Sequence, residues 1–186
     1  MRLFVSVDLP ATLADPLEAV QAKLDDAAGL RLTDPSQAHV TLKFLGDTDP
    51  ERVDEIEAAI QRAVDEAGVD PFDCTIEGLG VFSSLDYISV VWAGVREREG
   101  AAVLSRLHDT VETELTALGF DAEAHDFTPH VTLARMDDAR GKSLVREVVR
   151  NHEPTVGTFR VDDVRLTESR LTDTGPVYET VAAVGL

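Results

Sequence analysis

Two histidine–threonine pairs stand out in this chain of 186 residues. His39 and Thr41 lie in the run HVTLKFLG, and His130 and Thr132 lie in FTPHVTLAR. The tetrad His-Val-Thr-Leu therefore occurs twice, at an offset of 91 residues (130 − 39), about half the chain. On a β-strand, residues i and i+2 share a face and sit about 6.5–7 Å apart. Each HxT thus offers one imidazole and one hydroxyl on one side of its strand. Two such strands facing a common groove would hold two imidazoles and two hydroxyls.

A phosphodiester would use that set. Its hydrolysis needs a base to take a proton from water and an acid to protonate the departing oxygen. Histidine, with an ordinary pKa of about 6.5, serves either role near neutral pH. Attack and departure are in line, so acid and base must flank phosphorus from opposite sides. A pseudo-twofold pair supplies that arrangement. Thr41 and Thr132 would hold the non-bridging oxygens, where charge builds in the transition state. Arg135, three residues after Thr132, or Lys43, two after Thr41, would add positive charge.

Plainer readings compete. Either histidine alone could be a strand residue satisfied by hydrogen bonds, and threonine has β propensity of its own. The matched pairing is what weighs against both. A zinc site would need a third ligand, yet there is no HExxH, no paired cysteine and no histidine spacing typical of zinc. No Walker loop or dinucleotide glycine fingerprint occurs. His108 reads as a surface or partly buried helix residue, and His152 suits the end of a helix. His125, in the loop EAHDFTPH, is a candidate substrate contact with no assigned role. Phe44 and Phe127 could stack on a nucleobase, although core packing is the preferred reading for both. Cys74, the single cysteine, excludes an intrachain disulfide and reads as a buried free thiol.

The elements that must position the tetrads follow from periodicity. Leu3–Val7 is an apolar strand. Leu13, Leu17, Val20 and Leu24 predict a helix that starts at Asp15-Pro16, or nearer Thr12, and stops at Gly29. In the first His strand, strict alternation puts His39, Thr41 and Lys43 on one face and Val40, Leu42 and Phe44 on the other. Asp49-Pro50 caps a second helix with Val53, Ile56, Ile60 and Val64 inward, ended by Gly68. Phe72–Ile76 is a strand, punctuated afterwards by Gly78 and Gly80. Ile88–Val95 begins the second half. Leu104–Leu118 predicts a long helix stopping at Gly119. The second His strand would carry His130, Thr132 and Ala134 on one face. A helix over 139–150, a strand over 159–161 continuing through 164–167, and a last strand over 177–184 complete the pattern.

Each half therefore reads strand, helix, His strand, helix, strand, with one strand over. The fold expected is α+β: two pseudo-symmetric lobes of antiparallel-rich sheet with flanking helices, around a central groove carrying the two HxT strands. Residues 1–186 are expected to form one bilobal domain, with no long linker.

Acidic residues number 35 against 14 arginines and 3 lysines, for a net charge of −18. Such a surface repels nucleic acid in dilute salt. Dense carboxylates with few lysines are what molar salt favours, where the Debye length is only about 3 Å. The composition points to a halophilic source. No stretch approaches the length of a membrane span, Asp8 and Pro10 cut the first apolar run short of a signal peptide, and the lone cysteine suits a reducing cytoplasm.

HVTLKFLG and FTPHVTLAR resemble the paired HxT motifs of the two-histidine (2H) phosphoesterases. Within them the chain is similar to the RNA 2′,3′-cyclic phosphodiesterases of the LigT/ThpR type, once called 2′-5′ RNA ligases. The likeness extends to MRLFVSVDLP, VVWAGV, the LGF before the second motif, and GPVYE. It implies metal-independent hydrolysis of a terminal 2′,3′-cyclic phosphate on RNA, or on a nucleoside, to a 2′-phosphomonoester, without cofactor. By similarity His39 is the proton donor and His130 the proton acceptor, and Thr41, Thr132 and Arg135 bind the phosphate. The pseudo-symmetry by itself allows either order. RNA ends from tRNA processing are the partners implied, met by a cytoplasmic monomer. The chain departs from relatives at Arg31-Leu32-Thr33, where an aromatic residue is common, and at Phe82-Ser83, where Phe-Pro is common. Two alternatives stand beside this reading: ligation of a 2′,3′-cyclic phosphate to a 5′-hydroxyl at the same site, and a noncatalytic nucleotide-binding protein.

Overall fold

Alternation puts Leu3, Val5 and Val7 of β1 (Arg2–Asp8) on the core face. The computed structural model describes residues 1–173 and 175–186. The elements that follow are α1 (Ala14–Gln21), β2 (Leu30–Leu32), β3 (His39–Asp47), α2 (Val53–Ala67), β4 (Phe72–Ser83) and β5 (Ile88–Val95). The chain continues through α3 (Ala102–Ala117), β6 (His130–Met136), α4 (Lys142–Asn151), β7 (Thr155–Val161), β8 (Asp163–Thr172) and β9 (Gly175–Gly185). All ladders are antiparallel, in the order β7-β4-β5-β6-β3-β1-β8-β9, with β2 laid on β6.

Within the sheet, among the described residues, the two lobes join at a single bridge between β3 and β6, Val40 opposite Val131. These are equivalent residues of the two tetrads, so the pseudo-twofold axis passes between them. Outward from that bridge, β1 flanks β3 as β5 flanks β6. The next strands are exchanged: β8, late in the chain, closes on β1, and β4, from the first half, closes on β5. Only one residue, Asp162, separates β7 from β8, although five strands lie between them in the ladder order. In a flat sheet that gap would be roughly 29 Å at the usual strand spacing. One residue spans a small fraction of it, so the sheet curls into a half-barrel.

Helices cover the core face. Ile56 and Ile60 of α2 and Leu104, Leu107, Val111 and Leu115 of α3 pack with Leu3, Val5 and Leu42. Val145 and Val148 of α4 pack with Val91 and Ala134. Cys74 is buried here, where loss of hydration pushes its thiol up to about 12.

The α+β expectation holds, with corrections in detail. The first helix begins with a 3-10 turn at Ala11–Leu13, so the start near Thr12 is the correct one, and it ends through another at Ala22–Leu24. Gly29 does not stop it but turns the chain, at φ 76°, into β2. β4 runs on past Gly78, which sits unmatched at a bulge between Glu77 and Leu79. Residues 159–167 are not one strand: the break at Asp162 sends β7 to one edge of the sheet and β8 to β1. Three strands, β2, β7 and β9, lie outside the duplicated pattern rather than one.

The most consequential correction is a matched pair of β-bulges. Val5 pairs with Lys43 but Ser6 pairs with Thr41, which leaves Leu42 unmatched. Val91 pairs with Ala134 but Trp92 pairs with Thr132, which leaves Leu133 unmatched. Each extra residue flips the alternation beyond it. Lys43 is therefore 1% exposed in the core, and Phe44, placed in the core by strict alternation, is 61% exposed. Likewise Ala134 is buried, and Arg135 turns outward beside Thr132.

A bulge leaves backbone groups without ladder partners, and here a helix side chain reaches the carbonyl of each extra residue, that of Leu133 also accepting from the Thr33 amide at 2.9 Å. His108 of α3, buried rather than at the surface, donates from Nδ1 to the Leu42 carbonyl at 2.8 Å and stacks on Phe127. Gln21 of α1 donates from Nε2 to the Leu133 carbonyl at 2.9 Å. So the first helix of each half holds the His strand of the other half. Lys43 Nζ completes the α3 clamp with bonds to Glu112 Oε2 at 2.6 Å and to the Asp121 carbonyl at 2.8 Å. Glu112 in turn accepts from the Glu123 amide. Removing one member of a buried ion pair strands the other. Lys43→Ala is expected to cost about 3 kcal/mol, read as a lowered denaturant midpoint, whereas Lys43→Met should cost much less.

Candidate functional site

The site grows from the central bridge. Carrying the register of Val40 and Val131 one residue either way sets His39 across from Thr132, and Thr41 across from His130. All four lie on the face opposite the core. The structure thus brings together the four residues singled out by type and spacing, and the bulge in β6 adds Arg135 to the same face.

Each imidazole is held in the same way. His39 Nδ1 bonds the Gln37 carbonyl at 2.9 Å, and His130 Nδ1 bonds the Thr128 carbonyl at 2.7 Å. A carbonyl only accepts, so each Nδ1 carries the hydrogen and each Nε2 is left for substrate. Two rings brace each imidazole. His39 meets Tyr178 edge-on at 5.0 Å and Phe4 at 4.9 Å; His130 meets Phe82 edge-on at 4.9 Å and Trp92 at 6.0 Å. Trp92 fits only because Gly80 has no side chain: a Cβ there would stand 2.2 Å from the indole. Among the described residues neither Thr41 nor Thr132 uses its hydroxyl in a hydrogen bond, and Arg135 has no ion-pair partner.

Burial is the largest influence on both imidazoles and pulls each below histidine's ordinary 6.5, because the charged form loses hydration. The carbonyl bond at Nδ1 opposes this in both. Beyond that they differ. The carboxylate of Asp8 raises His39 and Arg135 lowers it, whereas His39 and Arg135 both lower His130.

An open pocket of about 210 Å³ adjoins His39, walled by Phe4, Tyr178, Gln37, Asp8 and Arg165 among others. The tip of β9 is tied to it: Gln37 accepts from the Tyr178 amide and donates to the Pro176 carbonyl. Phe44 stands across the β1–β3 ladder from Phe4, their rings 6.2 Å apart, and opens to solvent beside this wall.

Lys43 does not join the site; the bulge takes it to α3 instead. His125 stays exposed in the loop before β6. Phe127 packs on His108, so the core reading holds for it and fails for Phe44. Tyr178, Phe82 and Trp92 were not foreseen as neighbours of the histidines. Tyr178 lies in the GPVYE segment, but no spacing links residues so far apart. Among the described residues no three His, Cys, Asp or Glu side chains gather as metal ligands, and no helix is long and apolar enough to cross a membrane.

Comparison with known proteins gives a consistent answer. Residues 9–173 match the family model of the 2′-5′ RNA ligase superfamily. The RNA 2′,3′-cyclic phosphodiesterase of Methanothermobacter thermautotrophicus is 34% identical over 180 residues, covering 96% of this chain and 95% of that protein. The enzyme of the same name from Archaeoglobus fulgidus is also 34% identical over 180 residues, covering 96% and 97%. A solved structure from Thermus thermophilus superposes with a TM-score of 0.80 at 27% identity, covering 100% of this chain and 98% of that one. Escherichia coli LigT in complex with 3′-AMP shares the fold, with a TM-score of 0.79 at 23% identity and coverage of 100% and 97%.

Proposed function

Since the chain belongs to the 2′-5′ RNA ligase superfamily, we propose that it is a phosphodiesterase that hydrolyses the 2′,3′-cyclic phosphate at RNA ends. The relatives named for that activity cover nearly its whole length. One observation carries the mechanism: two imidazoles, each with Nδ1 tied to a carbonyl and Nε2 free, across from each other's threonine on one groove face.

In the reading proposed here, the cyclic phosphate sits over the Val40–Val131 bridge. Thr41 and Thr132 donate to its non-bridging oxygens, and Arg135 adds charge that grows more favourable as the phosphorane forms. Water is deprotonated by His130 Nε2 and attacks phosphorus in line. The bond to O3′ breaks, and His39 Nε2 gives that oxygen its proton, leaving a 2′-phosphomonoester. No step requires a metal or cofactor. Phe44, exposed beside the His39 wall, offers its face to a nucleobase. The protein works as a one-domain monomer in a cytoplasm of molar salt, which screens its acidic surface from RNA.

The test is phosphorus NMR of the product from a nucleoside 2′,3′-cyclic phosphate, in molar salt with and without EDTA. A 2′-phosphate formed equally in both is the expected result. A 3′-phosphate would reverse the two histidine roles, and activity lost to EDTA and restored by zinc would replace the mechanism.

The pH dependence has a definite sign. In the free enzyme both imidazoles lie below 6.5, and the active form carries one proton between them. kcat/KM, which reports the free enzyme, should therefore peak on the acid side of 6.5 and fall as pH rises through neutrality. A peak on the alkaline side would count against this pair.

A further inference from the structure

The pseudo-twofold that builds the site leaves its acid and base interchangeable, unless something around them differs. The position across the flanking ladder from each histidine does differ. Asp8 stands across β1–β3 from His39, and Gly94 stands across β5–β6 from His130. The contrast is enforced by packing. A Cβ at Gly94 would lie 3.0 Å from the Glu77 carbonyl and 3.3 Å from the Trp92 ring, so the His130 side has little room for a carboxylate.

Asp8 is held in place. Ser6 Oγ donates to its Oδ1 at 3.0 Å, and Arg165 donates to its Oδ2 at 3.0 Å. Arg165 also bonds Asp163, so this cluster of three charges remains net negative. Both Asp8 and His39 line the same pocket. The other groups that face His39 are Tyr178 on β9 and His130 and Arg135 on β6; the Asp34 carboxylate, at the start of the Pro35–Gln37 turn, is taken up by Ser36 and Gln37. Lys43, on the same strand, is turned to the core and spent on Glu112.

We infer that Asp8 is the positioning residue that makes His39 the general acid: its carboxylate faces that imidazole across the ladder, while the matching place beside His130 is an unsubstituted glycine. This rests on the phosphodiesterase reading above and deepens it. In each turnover His39 gives its Nε2 proton to O3′, and His130 takes one from water. The pair ends with its proton on the wrong histidine. Exchange with solvent then returns His130 to neutral and His39 to its charged form, and Asp8 sets the direction of that exchange by favouring charge on His39.

The experiment is the pH profile of kcat/KM for Asp8→Asn, which keeps the shape and the Ser6 bond, together with NMR titration of both histidines. Asp8→Asn should cost about tenfold in kcat/KM on the alkaline limb, where a proton must be retained on the acid, and leave the acid limb nearly unchanged. In the titration His39 should lose its proton at lower pH, with His130 little moved. A gain on the acid limb with no loss on the alkaline limb would make His39 the base and overturn the inference, as would an unmoved His39 titration. If Asp8→Asn does not fold, Arg165→Gln gives the opposite sign: a cation is removed, and the alkaline limb should extend upward. The NMR titration needs no turnover. Failure of the wild type to open any cyclic phosphate would therefore sink the phosphodiesterase reading and leave the link between Asp8 and His39 separately tested.

Discussion

Alanine at His39 or at His130 is expected to lower kcat by about 10²–10⁴-fold, the usual worth of a positioned general acid or base. The fold should survive in both. The side chains lie on the groove face, while Val40 and Val131 beneath them keep the bridge between the lobes. The double variant should be little worse than the poorer single one, because acid and base act as a unit and their losses do not multiply. The two variants should also part company with leaving group. An aryl phosphodiester whose phenolate departs without a proton should recover much of its turnover in His39→Ala and none in His130→Ala. Equal recovery in both would mean that the histidines do not divide the work as acid and base. Unchanged turnover of the natural bond in either variant would remove the mechanism altogether.

The second large effect is expected at the hydroxyls. Thr41→Val and Thr132→Val keep the shape and β propensity of the strand and delete only the donor. Loss of one donor to a developing oxyanion costs about 10²–10³-fold in kcat. KM should move little, because a cyclic phosphodiester bears one charge in the ground state and gains the second only as the phosphorane forms. Arg135→Ala should differ in kind: an exposed cation contributes to capture as well as to the transition state, so KM should rise along with the fall in kcat. A threonine variant that changed KM alone would place its hydroxyl on the bound substrate and not on the transition state.

The parts of this molecule legible in its sequence are those governed by short-range rules. The tetrads, the apolar stripes of α2, α3 and α4, the Asp49 cap and the left-handed Gly68 were all accessible to spacing and propensity. What was hidden is long-range. Period-two alternation assigned Lys43 to the groove and Phe44 to the core, and both assignments reversed because Leu42 is an extra residue. Nothing local marks that bulge. It exists because His108 and Glu112, one turn apart on a helix more than sixty residues away, bond the groups it exposes. Arg135 reached the groove through the matching bulge at Leu133, where strict alternation would have turned it to the other face. The rings around the histidines come from β1, β4, β5 and β9, and no pattern within one segment could have assembled them. Asp8 was legible only as a polar residue that ended an apolar run.

The exchanged strands have a consequence for how this chain comes into being. β1 is the first strand made, yet its outer neighbour β8 is among the last; the hydrogen bond between Ser6 and Thr167 spans 161 residues. A nascent chain that has released only its first half carries β1 with that edge unpaired and β4 without its partner β5. Such edges are templates for the wrong neighbour, and closing distant pairs is the slow part of folding. Neither lobe can be finished before the other is begun. The acidic residues that cover the chain keep separate copies apart by repulsion, and they do so during the interval when its edges stand open.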